Sequence, residues 1–111
     1  MRIAYDQLDF IDEKLRNLMD FAESIWPGEP VITSLYRMND SGVHGALPLR
    51  GCDLRTRDFD TETAERLAGQ INAKWTYDTT RPVMRCAIFH DVGQGAHIHL
   101  QVHPRTVQEL Y

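Results

Sequence analysis

Two residue types in two short stretches could do chemistry together. His44 and Asp53 lie in Ser41-Gly42-Val43-His44-Gly45-Ala46-Leu47-Pro48-Leu49-Arg50-Gly51-Cys52-Asp53, and His97-Ile98-His99-Leu100-Gln101 follows near the C-terminus. Two imidazoles and a carboxylate, with a further imidazole beside them, are the donor set of a catalytic zinc site that keeps one position open. The chemistry would be metal-assisted hydrolysis, with water activated near neutral pH and a neutral histidine moving the proton.

The elements that must position these residues can be read from periodicity. Leu8, Ile11, Leu15, Leu18, Met19, Ala22, Ile25 and Trp26 recur at helical spacing, which predicts a helix from about Asp6 to Trp26 that Pro27-Gly28 ends. Val31 to Tyr36 reads as a strand, Met38 to Gly51 as a loop and Cys52 to Arg55 as a short strand. Asp60 or Thr61 can cap a second helix running to about Lys74, with Ala64, Leu67, Ala68, Ile71 and Trp75 on its apolar side. Thr76 to Pro82 reads as a turn-rich connection, Val83 to Phe89 as a buried strand, Asp91 to Gly95 as a turn and Ala96 to Val102 as a last strand stopped by Pro104. This order predicts an α+β fold, a small antiparallel sheet with two main helices, in a single domain over residues 1–111.

Strand alternation then sorts the chemistry. His97, His99 and Gln101 share one face, while Ala96, Ile98, Leu100 and Val102 share the other, which is the core face. If Cys52 and Leu54 point inward, Asp53 and Arg55 point to the opposite face. Taken alone, each residue also has a plain structural reading: a half-exposed strand carrying two histidines, a loop acid capping a turn, an exposed loop histidine. The combination is what favours a site.

Composition bounds the rest. A formal charge of −4 argues against a general nucleic-acid binder, which would normally show a basic face. Apolar residues make up 42% and charged residues 25%, ordinary for a soluble globular domain, and no apolar run approaches a membrane span. The first residues lack the apolar core of a signal peptide, so cytoplasmic synthesis is expected. Cys52 and Cys86 read as free, buried thiols.

The segments Val31-Ile32-Thr33-Ser34-Leu35-Tyr36-Arg37, Ser41-Gly42-Val43-His44-Gly45, Cys52-Asp53-Leu54-Arg55 and His97-Ile98-His99 resemble, in order, those of the zinc D-Ala-D-Ala carboxypeptidase family. That family includes phage L-alanyl-D-glutamate endolysins and shares the Hedgehog/DD-peptidase fold. The resemblance spans about residues 31 to 103. It implies Zn2+ held by His44, Asp53 and His99, with His97 as the general base and Arg37 and Ser41 in support or substrate binding. It implies a peptidoglycan peptide as substrate, with no nucleic acid or membrane partner. A monomer is expected. A phage-type gene whose product is released to the cell wall would suit such a domain. Two departures stand out. Eight residues separate His44 from Asp53 where the family usually has six, and Ala96 occupies the position of the usual catalytic Glu. His97 would then do the work of that base, with Asp91 or His90 in reserve. An arginine, from among Arg37, Arg55 and Arg85, could hold a substrate carboxylate.

A second resemblance competes. Gly93-Gln94-Gly95 followed by His97-Ile98-His99-Leu100-Gln101-Val102 is similar to the histidine triad of nucleotide hydrolases and transferases. There His99 would be the nucleophile on an α-phosphate and Gln101 would hold the intermediate. A third reading is a zinc-containing binding module without catalysis, consistent with Ala96.

Overall fold

Helix α1 (Glu13–Ile25) starts later than the apolar spacing predicts. The computed structural model describes residues 1–3, 5–35, 47–91 and 95–109, and within it a 3-10 turn over Tyr5–Phe10 precedes the helix. The expected single helix from Asp6 is therefore two pieces. The break has a backbone cause. The amide of Asp12 donates to the carbonyl of Leu49 at 2.8 Å, and the amide of Leu49 donates to the carbonyl of Phe10 at 2.6 Å. Groups that a continuous helix would need are engaged by a distant segment. Asp12 then restarts the helix as its N-cap, accepting from the Lys14 amide at 2.8 Å. Leu15, Leu18, Met19 and Ala22 form the buried stripe.

Helix α2 (Thr61–Lys74) matches its sequence pattern closely. Asp60 accepts from the Thr63 amide at 2.8 Å, and Ala64, Leu67, Ala68 and Ile71 are buried. Four strands, β1 (Ile32–Ser34), β2 (Gly51–Arg55), β4 (Ala87–His90) and β5 (His97–Gln101), form an antiparallel sheet in the order β1-β2-β5-β4. The fold is thus α+β with a small antiparallel sheet and two helices, as the sequence predicts. The histidine-bearing strand β5 is central, flanked by β2 and β4.

Cys52, Leu54, Ile98 and Leu100 lie on the covered face of the sheet and are fully buried with Leu15, Leu18 and Ile71 from the helices. Asn72 on α2 ties that helix to β4. Its side chain donates to the Ala87 carbonyl at 2.9 Å and accepts from the Ala87 amide at 3.0 Å. Cys52 and Cys86 are buried free thiols.

Three further expectations need correction. The strand predicted from Val83 begins only at Ala87. Arg81 donates to the Asp78 carbonyl and Met84 to the Arg81 carbonyl, so this stretch is turned and Val83 is 85% exposed. The first strand is shorter than Val31 to Tyr36, with Tyr36 outside the described residues. Finally, β3 (Trp75–Thr76) and β6 (Val107–Gln108) pair antiparallel as a separate two-stranded sheet that the sequence pattern misses. Two residues are too few to show alternation. No helix among the described residues is long and apolar enough to cross a membrane.

Candidate metal centre

Register, more than proximity in the chain, builds this site. In the β2–β5 ladder Asp53 faces His99, Arg55 faces His97 and Gly51 faces Gln101. Directly opposed residues on paired strands present their side chains on the same face. On the far face Cys52 faces Leu100 and Leu54 faces Ile98, all fully buried, which locks the register because a one-residue slip would turn the apolar set outward.

Asp53 is buried, and its Oδ1 stands 2.7 Å from His99 Nδ1. The other ring nitrogen, His99 Nε2, stands 3.2 Å from Gln101 Oε1. Gln101 Nε2 donates to the Arg85 carbonyl at 2.8 Å. These contacts have an order. A carbonyl can only accept, so the NH2 of Gln101 must face Arg85 and its Oε1 must face His99. Oε1 can only accept, so His99 Nε2 carries a hydrogen and donates. His99 Nδ1 then presents either a lone pair or a second proton toward the Asp53 carboxylate. At 2.7 Å the two atoms are at hydrogen-bond distance. In both states the ring is oriented so that Nδ1 and Asp53 Oδ1 converge.

The sheet brings further groups to this face. Ser34 of β1 is the register partner of Asp53, and the Thr33 hydroxyl donates to the Asp53 carbonyl at 3.4 Å. His97 is half-buried two positions from His99. Its Nδ1 lies 3.4 Å from the Gly95 carbonyl, which can only accept, so this contact leaves Nε2 as the basic nitrogen of the neutral ring. His90 of β4 faces His97 across the ladder, with ring centroids 5.3 Å apart. Arg55 is engaged by Asp58, with Nη2 and Oδ2 3.1 Å apart. Asp91 is exposed beyond the end of β4.

Of the expected zinc ligands, Asp53 and His99 come together. His44 lies outside the described residues, as do Arg37 and Ser41. The chain enters that stretch from Ser34 and Leu35, and Ser34 is already beside Asp53. Among the described residues no group of three His, Cys, Asp or Glu side chains converges. Cys52, next to Asp53 in sequence, is turned to the core. Burial first, and the Asp53 charge second, push its thiol far above the ordinary range, so it stays protonated. Burial likewise pushes Cys86 up to about 12, which removes it as a nucleophile at neutral pH.

The donor chemistry suits zinc. A carboxylate oxygen and an imidazole nitrogen whose opposite N–H is held by a second residue are typical of zinc ligands and their supporting partners. Gln101 and the Arg85 carbonyl supply that support here. The sequence places Gln101 on the His99 face but does not expose its role, because the role depends on Arg85 lying across the sheet. No protein-family model, curated protein or solved structure matches this chain.

Proposed function

We propose that the chain is a zinc-dependent hydrolase of amide bonds in D-amino-acid-containing peptides of the peptidoglycan type. The observation that carries this reading is the ordered contact from Asp53 to His99 to Gln101 to the Arg85 carbonyl. It presents one oxygen and one nitrogen donor from two strands that are far apart in sequence. His44, following β1, would complete the set, and Arg37 and Ser41 would support the loop that carries it. The substrate class comes from the segment resemblance to cell-wall peptidases, by analogy. The α+β arrangement, with helices covering one sheet face and the polar residues on the other, is compatible with a small Hedgehog/DD-peptidase-like domain.

Zinc, when bound, supplies Lewis acidity that polarises an amide carbonyl and acidifies water. The chain's own residues do the rest. Asp53 and His99 fix the reacting position against a rigid central sheet. Gln101 keeps the His99 ring in the tautomer that leaves Nδ1 for the metal. His97, its Nδ1 turned to the Gly95 carbonyl, takes a proton at Nε2 and returns it to the leaving amine. This arrangement assigns to an imidazole the role that a carboxylate at position 96 would otherwise fill.

The histidine-triad reading fares less well, because Gln101 is already engaged at both ends of its carboxamide, by His99 and by Arg85. The zinc-binding module without catalysis is favoured by one observation, the apolar Ala96. The deciding experiment is zinc analysis combined with release of D-alanine or muropeptide fragments from purified peptidoglycan. Wild type should bind zinc through Asp53 and His99 and cleave, and His97→Ala should keep that zinc and lose about 10²–10⁴-fold in rate. Full zinc occupancy with no cleavage of any wall peptide would make the chain a binding module. Chelator-insensitive cleavage of a nucleoside phosphoramidate would instead favour the histidine triad.

A further inference from the structure

We propose that His90 and His97 form a second metal-ion site, for a borderline divalent ion such as Zn2+, Ni2+ or Cu2+. The two residues are Cα partners in the β4–β5 ladder, so the sheet holds their side chains together on one face. Their ring centroids are 5.3 Å apart and the rings are tilted 39°, not stacked flat. Geometry makes this spacing informative. With Zn–N bonds of about 2.0–2.1 Å, each ring centroid lies roughly 3.2 Å from the ion, and a tetrahedral angle then separates the two centroids by roughly 5.2 Å. The observed spacing matches that expected for two imidazoles on one shared ion.

The contact between His97 Nδ1 and the Gly95 carbonyl is the kind of support that fixes which nitrogen a histidine offers to a metal, and it leaves Nε2 for the ion. Both rings are half-exposed, so an ion can enter and water can fill the remaining positions. The cation facing His97 across β2 is Arg55, and Asp58 pairs with it. His97 and His99 are two strand positions apart, about 6.7 Å along the backbone, so the proposed site adjoins the Asp53–His99 pair. On the function proposed above, an ion here would take the lone pair of the base, and excess metal would inhibit hydrolysis.

The test follows the imidazole nitrogens of the five histidines by NMR while Zn2+ alone is added to the full chain. The His90 and His97 signals should move together along one saturation curve, distinct from that of His99. His90→Ala, and independently His90→Asn, should weaken the His97 response at least tenfold while leaving the His99 curve in place. If His97 responds on the His99 curve and is indifferent to both substitutions, the second site does not exist. The outcome is separable from the proposed function. Silence at His99 with a response at His90 and His97 would remove the hydrolase reading and keep this site.

Discussion

The carboxamide of Gln101 serves two partners at once, and this makes it the most informative position to change. Its NH2 is committed to the Arg85 carbonyl and its oxygen to His99 Nε2. Gln101→Leu preserves the approximate volume and removes both contacts, so the His99 ring loses the partner that selects its tautomer. Zinc affinity is expected to fall by about 10–100-fold, the usual effect of losing a residue that orients a ligand. On the proposed function, Asp53→Asn and His99→Ala change the two proposed ligands and should abolish zinc binding at that site. Competition with a chromogenic chelator measures all three. Zinc binding by Gln101→Leu equal to wild type would mean that packing alone orients His99. Asp91→Asn is a useful control, because Asp91 is exposed and should leave binding at Asp53 and His99 unaltered.

The short β3–β6 corner depends on Asp78, whose side chain is 1% exposed. Its Oδ1 accepts from the Thr80 hydroxyl at 2.7 Å and the Thr80 amide at 2.9 Å, and its Oδ2 accepts from Arg81 Nε at 3.0 Å. The Thr80 hydroxyl contributes most, followed by the Thr80 amide. With Arg81 and the nearby Arg105 they outweigh burial and hold the carboxyl at about 2, against an ordinary 3.8. His103 Nδ1 also stands 3.9 Å from Oδ2. A lowered carboxyl stabilises the fold above its unfolded pKa, and that contribution is lost as pH falls from about 4 toward 2. Asp78→Asn should therefore be less stable than wild type at pH 7, and the gap should close on acidification. Urea unfolding across that range checks it, and a gap independent of pH would remove Asp78 as its source. The same corner shows what local sequence pattern can and cannot carry. Helix α2 was readable because its cap, Asp60, and its apolar stripe are all local. So was the alternation in β5 that puts His97, His99 and Gln101 on one face. The late start of α1 depends on Leu49, and the late start of β4 follows a turn tied to Asp78, so neither could be read from local periodicity. Likewise the Asp53–His99 pairing needed a register that only the folded sheet supplies. Asp12→Ala tests the restart of α1 directly. Losing this cap should cost about 0.5–2 kcal/mol in urea unfolding, and no change would mean that the Leu49 contacts alone set the helix start.

One hydrophobic cluster joins both helices to the four-stranded sheet, running from Ile11 through Leu54 and Ile71 to Val102. Lys14 on α1 also donates to the carbonyls of Pro104 at 2.5 Å and Thr106 at 2.8 Å, tying the first helix to the last turn. A core shared in this way should open as one unit. The two cysteines report on that directly. Cys52 sits in central strand β2, Cys86 immediately precedes edge strand β4, and both are fully buried with raised thiol pKa values. Neither should react with a thiol reagent until the core opens, so under native conditions the two should be modified at the same rate. The Asn72 carboxamide clasps this edge to α2 by pairing with both backbone groups of Ala87. Asn72→Ala leaves those groups without their partner at a cost of about 1–3 kcal/mol, and the loss falls on β4 and not on β2. In that variant Cys86 should be modified faster than Cys52, whose rate should rise only with the loss of global stability. Site-resolved mass spectrometry of the modified protein separates the two thiols. Faster modification of Cys86 already in wild type would show that the β4 edge opens by itself. Since β4 carries His90 and flanks the strand of His97 and His99, such local opening would also loosen the sheet that holds Asp53, His97 and His99 in register.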